Sequence, residues 1–491
     1  MNKIDLSAIE KKYKIILSKN YKDLTTKGYV ARKGVVPINL ELPFKWENSD
    51  SNVNVNLQSW RFLSAFWYEY ITTGKIDVFN SGLDFVLDWY DFFLIKENRS
   101  RHIWYDMSTG IRAYHLGLIN NLIESKTVSE HLSEERKKII RNLSDLHIKK
   151  LSNPDFISQG NHGIYQVLGL QILSQSLNNK ELNVFCHKKL EELLDKSFDE
   201  NYINTENSPF YHKYNVDIIR SIDENSFDKL RKKIKIIKSD SFFASSFLTA
   251  PNGCFYNIGD SEGLGLNNIN NIEFPDRYKN LVIPSDTHFG IDLSESGYII
   301  IRDNSYEENG ESLIFYGTSK SLVHKHSDNL SFIYFTKGIE IFTDPGKYTY
   351  AYGPWRESFI SDTNHNTVGH ENKTTKITES NISWTSIKKL EYTNKKYSIK
   401  GSTKKENLEH EREIEYRPSE YIIINDHIKN KSNENVEIRF QLSEHIDLAF
   451  WDNNRLYICK ADNCLATLEF EKKPCNIDIV RGQGYKGWVS S

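Results

Sequence analysis

Apolar positions over roughly the first 240 residues recur at helical spacing. In residues 57–73 (LQSWRFLSAFWYEYITT), Leu57, Trp60, Leu63, Ser64 and Trp67 fall on one face, the signature of an amphipathic helix. Residues 79–96, 108–125, 161–177, 180–197 and 210–222 repeat the style. Short polar breaks separate them, such as Ser152-Asn153-Pro154 and Asn178-Asn179-Lys180. Successive helices with short connections predict a helical array or toroid rather than a four-helix bundle. No fixed repeat length is visible, so a solenoid is not expected.

Beyond about residue 240 the period changes to two. Residues 297–303 (GYIIIRD), 311–317, 329–344, 420–428, 436–442, 456–461 and 465–471 are rich in β-branched and aromatic residues and read as strands. Lys337-Gly338 sits between two apolar runs and predicts a hairpin turn. Many short strands with almost no helical pattern predict a sandwich of antiparallel sheets. The expected chain is therefore a helical domain over 1–240 followed by a β-sandwich over 241–491, with a site at the domain junction.

Composition narrows the function. With 491 residues, 38% hydrophobic, the chain is long enough for two or three domains of roughly 150 residues. The net charge of −3 offers no basic field for nucleic acid; an anionic substrate has to be met by local cations. Aromatic residues make up 13%, and such rings serve either as core or as faces on which sugar rings stack. The five cysteines are scattered, with no CxxC spacing, so neither a disulfide framework nor a thiolate metal site is expected; Cys459 and Cys464 could face each other across a hairpin. The N-terminus has no apolar signal core, and no run of about 18 apolar residues is found. The expectation is no transmembrane segment and a cytoplasmic protein, or a periplasmic or secreted one whose signal has been removed. Abundant Asn, Lys and Ile hint at a bacterial source.

Four polar constellations stand out. His324-Lys325-His326-Ser327-Asp328 precedes one predicted strand, Asp344-Pro345-Gly346 ends the next, and Asn364-His365-Asn366-Thr367 follows. His326, Asp344 and His365 can converge; two imidazoles and a carboxylate suit zinc, or the histidines are hydrogen-bonded structural groups. Gly160-Asn161-His162-Gly163 opens a helix. Asn161 there is either an N-cap or, with His162, a donor to a substrate carboxylate approached closely past the glycines. In the stretch 204–215, Pro209 suits a helix start, and Tyr211 beside His212 is either a proton-transfer pair or core. Trp104 to Arg112 (WYDMSTGIR) places Arg112 early in a helix, where a guanidinium either grips a carboxylate or sulfate or makes an internal ion pair.

Taken in order, these motifs resemble the heparinase II/III-like superfamily of polysaccharide lyases, which includes heparin-sulfate lyases and some alginate lyases. HKHSDNLSF, DPGKYTY, Arg356, Phe359 and HNTV look like its sandwich signature, and WYDMSTGIR, NHG and SPFYHKYN like its helical signatures. The resemblance implies an incomplete α/α toroid followed by an antiparallel β-sandwich. It implies that Asn161 and His162 neutralise a uronate carboxylate and that Tyr211 is the catalytic tyrosine, with Tyr214 as the second choice. His324 would be the catalytic histidine, and Trp104, Arg112 and Arg356 would contact substrate. His326, Asp344 and His365 would hold a divalent metal, zinc, in a mainly structural role.

The implied chemistry is β-elimination on an acidic polysaccharide, whether glycosaminoglycan, alginate-like or bacterial exopolysaccharide. The uronate C5 proton is α to a carboxylate and weakly acidic until donors neutralise that charge. A base then takes the proton and an acid protonates the departing O4. Tyrosine can serve if its pKa of about 10 is lowered, and His324 if the proton lies on the opposite face. Three alternatives remain. A glycoside hydrolase needs two carboxylates across a cleft; Asp106, Glu200, Glu206 and Glu262 are available, but nothing singles out a pair. A non-catalytic glycan-binding or assembly protein would have no use for the proton-transfer groups. A zinc hydrolase lacks an HExxH motif.

Overall fold

The computed structural model describes residues 12–14, 17–32, 34–263, 265, 274–304, 309–317, 319–371, 373–452, 455–461, 463–472, 474, 476–482 and 484. The chain divides into two compact units. The first comprises residues 1–197 and 217–238, the second 198–216 and 239–491. The stretch 198–216, which the expected 1–240 boundary groups with the helices, therefore clusters with the sheets.

The first unit is helical. Its principal helices are α1 (Ser51–Gln58), α2 (Leu63–Thr73), α3 (Ile76–Tyr90), α4 (Asp106–Ile123), α5 (Glu134–Leu151), α6 (Gly160–Ser176) and α7 (Lys180–Ser197). The helix expected over 57–73 is broken, because Trp60 adopts a left-handed φ of 56°. Its indole is fully buried, edge-on to Trp89 at 5.3 Å. Helix α5, rich in Lys, Arg and Glu, carries too thin an apolar stripe to stand out in the sequence. It begins on Ser133, whose side chain accepts from the Arg136 amide, and places Glu134 and Glu135 in its first turn and Lys149 and Lys150 in its last, each matching the helix dipole.

Glycines let α4 and α6 touch backbone to backbone. A Cβ on Gly169 would lie 1.9 Å from the Gly110 carbonyl oxygen, and one on Gly110 would lie 2.5 Å from Gln166 Cα. Arg112 of α4 is sealed inside this unit. Its guanidinium donates to the Gln58 carbonyl at 2.6 Å, the Ile103 carbonyl at 2.5 Å and His147 Nε2 at 3.0 Å. It also lies over the Trp89 ring at 4.7 Å. Burial pushes the Arg112 pKa down to about 9.

Helix α8 (Pro209–Ser221) begins in the second unit and α9 (Arg231–Ala244) ends in it. An antiparallel sheet follows in the order β1 (Val282–Pro284), β2 (His288–Leu293), β3 (Tyr298–Asp303), β4 (Ser312–Tyr316), β5 (Ser331–Thr336), β6 (Ile339–Phe342). The β5–β6 turn is Lys337-Gly338 as expected, with φ of 52° and 71°, the paired positive angles of a tight hairpin. Next come β7 (Val368–His370), β8 (Thr385–Ile387), β9 (Glu391–Thr393), β10 (Lys396–Lys405), β11 (Leu408–Arg417) and β12 (Tyr421–Asn430). The order β12-β11-β10-β8, with β9 also on β10, makes a second antiparallel sheet. Finally β13 (Val436–Ile438) pairs with β7, and β14 (Leu448–Asp452), β15 (Arg455–Lys460) and β16 (Asn463–Glu469) form a third antiparallel sheet. Cys459 does face Cys464 across the β15–β16 pair, and both are free thiols.

One core packs the first sheet against the second, through Ile299, Ile301, Leu313, Phe315 and Phe332 on one side and Tyr397, Ile399, Ile414 and Tyr416 on the other. The opposite face of the first sheet buries Ile291, Ile300, Ile314 and Ile333 against Ala244, Phe247, Leu248 and Ile203. This second core carries the 198–216 stretch onto the sheet that bears the site. No helix among the described residues is long and apolar enough to cross a membrane.

Candidate active site

Two segments far apart in sequence meet in the second unit. Asn207 sits at a left-handed φ of 57° just before α8. Its side-chain amide donates to the carbonyls of Ser321 at 2.8 Å and Val323 at 2.9 Å, fixing the 321–324 loop beside the helix start. His324 itself has a φ of 58°. These contacts lay the Tyr211 ring flat on the His324 imidazole, with centroids 3.6 Å apart and planes 12° apart. Tyr350, between β6 and β7, closes the group: its hydroxyl is 2.6 Å from the Tyr211 hydroxyl and 3.3 Å from His324 Nδ1.

Asp260 supports the imidazole, its Oδ2 lying 2.8 Å from His324 Nδ1, while Glu206 Oε2 lies 3.5 Å from Nε2. Burial alone would depress the histidine, but the two carboxylates outweigh it and hold its pKa above the ordinary value. For Tyr211, burial pushes the phenol pKa up, against the hydrogen bond to Tyr350. Asp260 is buried and yet held far below the usual carboxylate range, because His324, His326 and Arg356 all donate to it.

The expected trio His326, Asp344 and His365 comes together and is fully buried. Each offers a ligand atom, and these atoms lie within 4.8 Å of one another. His326 Nε2 is 2.9 Å from Asp260, and His365 Nδ1 is 2.8 Å from Asp344. Each imidazole keeps its other nitrogen, His326 Nδ1 and His365 Nε2, with no hydrogen-bond partner. A buried orphaned acceptor is costly; two beside a carboxylate are the donor set of a divalent cation. These residues can hold a metal.

The remaining predicted residues divide. In the first unit, His162 Nδ1 lies 3.0 and 3.1 Å from the two oxygens of Asp106, which Ser158 also caps at 2.6 Å. Burial would raise Asp106, but those bonds bring its pKa to about 2. An ionised carboxylate only accepts, so Nδ1 carries the proton. Asn161 is half-buried in the first turn of α6; the cap position belongs to Gln159. Gly163 serves packing rather than ligand approach, since a Cβ there would meet the Ser158 carbonyl oxygen at 1.9 Å.

Arg112, expected to contact substrate, cannot: it is completely buried and its nitrogens are committed inside the first unit. Arg356 donates to both oxygens of Asp260, so its planar face of donors is used within the site. Trp104 is half-buried, its ring 5.5 Å from the Arg112 guanidinium. The Tyr211–His212 proton-transfer pair is overturned. His212 is buried, accepts from the Asn204 amide at Nδ1 and faces the Ser241 carbonyl at Nε2, and burial lowers its pKa to about 4. Tyr214 stands 6.1 Å from Tyr211, edge-on; Tyr211 is the ring on the histidine. Glu200 and Glu262 are exposed and paired with Lys320 and Lys347. Sequence reading missed Asp260 and Tyr350. The second lay within the quoted DPGKYTY motif, whereas Asp260, in an irregular loop, had no signal.

Comparison with known proteins bears on the fold. Residues 287–489 match the family described as heparinase II/III-like, C-terminal. No curated protein matches the chain. Among solved structures, the heparan sulfate lyase HepC from Pedobacter heparinus superposes with a TM-score of 0.62 at 17% identity, over 90% of this chain and 73% of that one. A structure described as heparinase III gives 0.65 at 16% identity, over 93% and 78%. At these identities the likeness is one of fold.

Proposed function

We propose, from the premise that residues 287–489 carry a heparinase II/III-like C-terminal domain, that this chain is a polysaccharide lyase. Its substrate would be a uronic-acid-containing polysaccharide of the glycosaminoglycan type, as the names of its structural neighbours suggest. The helices would form an incomplete toroid and the sheets a β-sandwich. The observation that carries the reading is the Tyr211 ring stacked on His324 with both groups hydrogen-bonded to the Tyr350 hydroxyl.

That trio can move two protons without water. With Nδ1 directed at Asp260, His324 presents Nε2 as the base for the C5 proton. Tyr211, kept protonated by burial, gives its proton to the departing O4, and Tyr350 is placed to hand it another. Asn161 and His162 would neutralise a uronate carboxylate; because Asp106 takes the Nδ1 proton of His162, the ring would donate to that carboxylate through Nε2 when both nitrogens carry protons. Neutralising that charge is what makes the C5 proton removable. His326, Asp344 and His365 would hold zinc, which as a structural ion would tie β5, β6 and the loop before β7 together.

The test is a panel of glycosaminoglycans incubated with the enzyme and followed by the ultraviolet absorbance of unsaturated uronate. Depolymerisation without that absorbance identifies a hydrolase instead, and binding without depolymerisation a non-catalytic glycan protein.

A further inference from the structure

Asp260 touches both the reactive histidine and the metal candidate. Each of its oxygens accepts from one imidazole and one guanidinium nitrogen. Oδ1 takes His326 Nε2 at 2.9 Å and Arg356 Nη1; Oδ2 takes His324 Nδ1 at 2.8 Å and Arg356 Nη2 at 3.0 Å. A carboxylate clamped by a guanidinium only accepts, so both imidazole nitrogens facing it carry protons. In the neutral rings the lone pairs are thereby assigned: Nδ1 on His326 and Nε2 on His324. The first is one of the orphaned atoms of the metal trio, and the second is the atom the elimination needs.

The backbone makes this linkage stiff. Gly259 has a φ of 59°, and a Cβ there would lie 2.5 Å from the Asn207 carbonyl oxygen and 2.6 Å from that of His324. The Asp260 amide donates to the His324 carbonyl at 3.3 Å. Asp260 therefore has almost no freedom to follow one histidine without the other.

We infer that Asp260 is a positioning residue through which occupancy of the His326–Asp344–His365 site sets the orientation of His324. A cation held by His326, Asp344 and His365 would fix the His326 ring and strengthen its Nε2–H as a donor, the usual effect of an outer carboxylate on a metal-bound histidine. The carboxylate is then held in the plane that receives His324 Nδ1–H. Without the cation, His326 Nε2–H would be a weaker donor to Oδ1, and the carboxylate, still clamped by Arg356, would hold His324 Nδ1–H less firmly. A bound metal would thus be more than a structural pin. The catalytic half of this inference rests on the lyase reading; the link between Asp260 and metal affinity does not.

The experiment compares wild type with Asp260→Asn, each loaded with zinc and each stripped. Asp260→Asn is expected to weaken zinc binding at least about tenfold. It is also expected to lower kcat about a hundredfold with KM changed less than about twofold. Stripping zinc should lower kcat in wild type and produce no further loss in Asp260→Asn. Unaltered zinc affinity in the variant, or an equal fall in kcat on stripping both proteins, overturns the inference. Should the variant not fold, isotope-labelled histidine in the wild type gives the answer without it. Zinc is expected to shift the hydrogen-bonded Nδ1–H resonance of His324, assigned with His324→Gln, and an unmoved resonance overturns the coupling. If no glycan yields unsaturated product, the lyase reading fails on its own, and zinc affinity together with the resonance still decides the role of Asp260.

Discussion

The ring of Tyr211 lies within 12° of parallel to that of His324, with centroids 3.6 Å apart, so the groups proposed as acid and base are held face to face. Both lie in the second unit, although Tyr211 belongs to a helix that runs on into the first.

Removing either group should abolish proton transfer without disturbing the fold. Tyr211→Phe and His324→Ala are each expected to lower kcat at least about a hundredfold, with near wild-type thermal unfolding. Formation of unsaturated product at a near-normal rate by either variant removes that residue from the mechanism.

The metal trio makes a prediction about stability. His326→Ala, or stripping with a chelator, is expected to lower Tm by roughly 5 °C or more, since about 1 kcal/mol moves a domain of this size by 2–4 °C. Calorimetry with and without added zinc checks it. An unchanged Tm in both would mean the trio binds no ion.

Acid stability should depend on Glu311. Tyr334 and Tyr416 donate to its Oε1 at 2.8 and 2.6 Å, and Ser419 to its Oε2 at 2.9 Å. Burial pushes this carboxyl up, yet the donors, with His288, bring it down to about 2. A depressed folded pKa means stability that is complete above the unfolded value and is lost as pH falls from about 4.5 toward 2. The loss amounts to on the order of 3 kcal/mol at most. Urea melts at descending pH should show a steeper decline for wild type than for Glu311→Gln, and parallel curves would contradict this.

Helix packing gives a fourth expectation. Gly169→Ala has no room against the Gly110 carbonyl and should cost about 1–3 kcal/mol or more, read as a lower urea midpoint at unchanged slope. Gly263, around which a Cβ meets nothing within 4 Å, serves as the control, and equal midpoints for the two alanine variants would refute the close-contact argument.

Legibility in the sequence followed how each residue is used. Apolar strands such as β3 and β5 were visible because both faces are buried. β10 (KYSIKGSTKK) and β11 (LEHEREIEYR) were not, because their inward positions include Thr403, Lys405, His410 and Arg412, polar groups satisfied by partners a sequence does not display, such as Asp362 and Asp426. In the site, the position of His326, Asp344 and His365 at the ends of successive predicted strands revealed the trio. Arg112 was misjudged because charge alone says nothing of burial: its neighbours are three tryptophans and a neutral histidine brought in by other helices and turns. Tyr211 and His324 were both named by the family resemblance and do meet, whereas the reading of Tyr211 with adjacent His212 failed, since proximity along the chain is not proximity in space.

The Asn207 clamp joins positions 114 and 116 residues apart. Contacts of such sequence separation form slowly, after the loops between them have closed. A growing or refolding polypeptide can thus have most of its helices in place and remain inert, and recovery of turnover would serve as a clock for the last long-range closure rather than for helix formation.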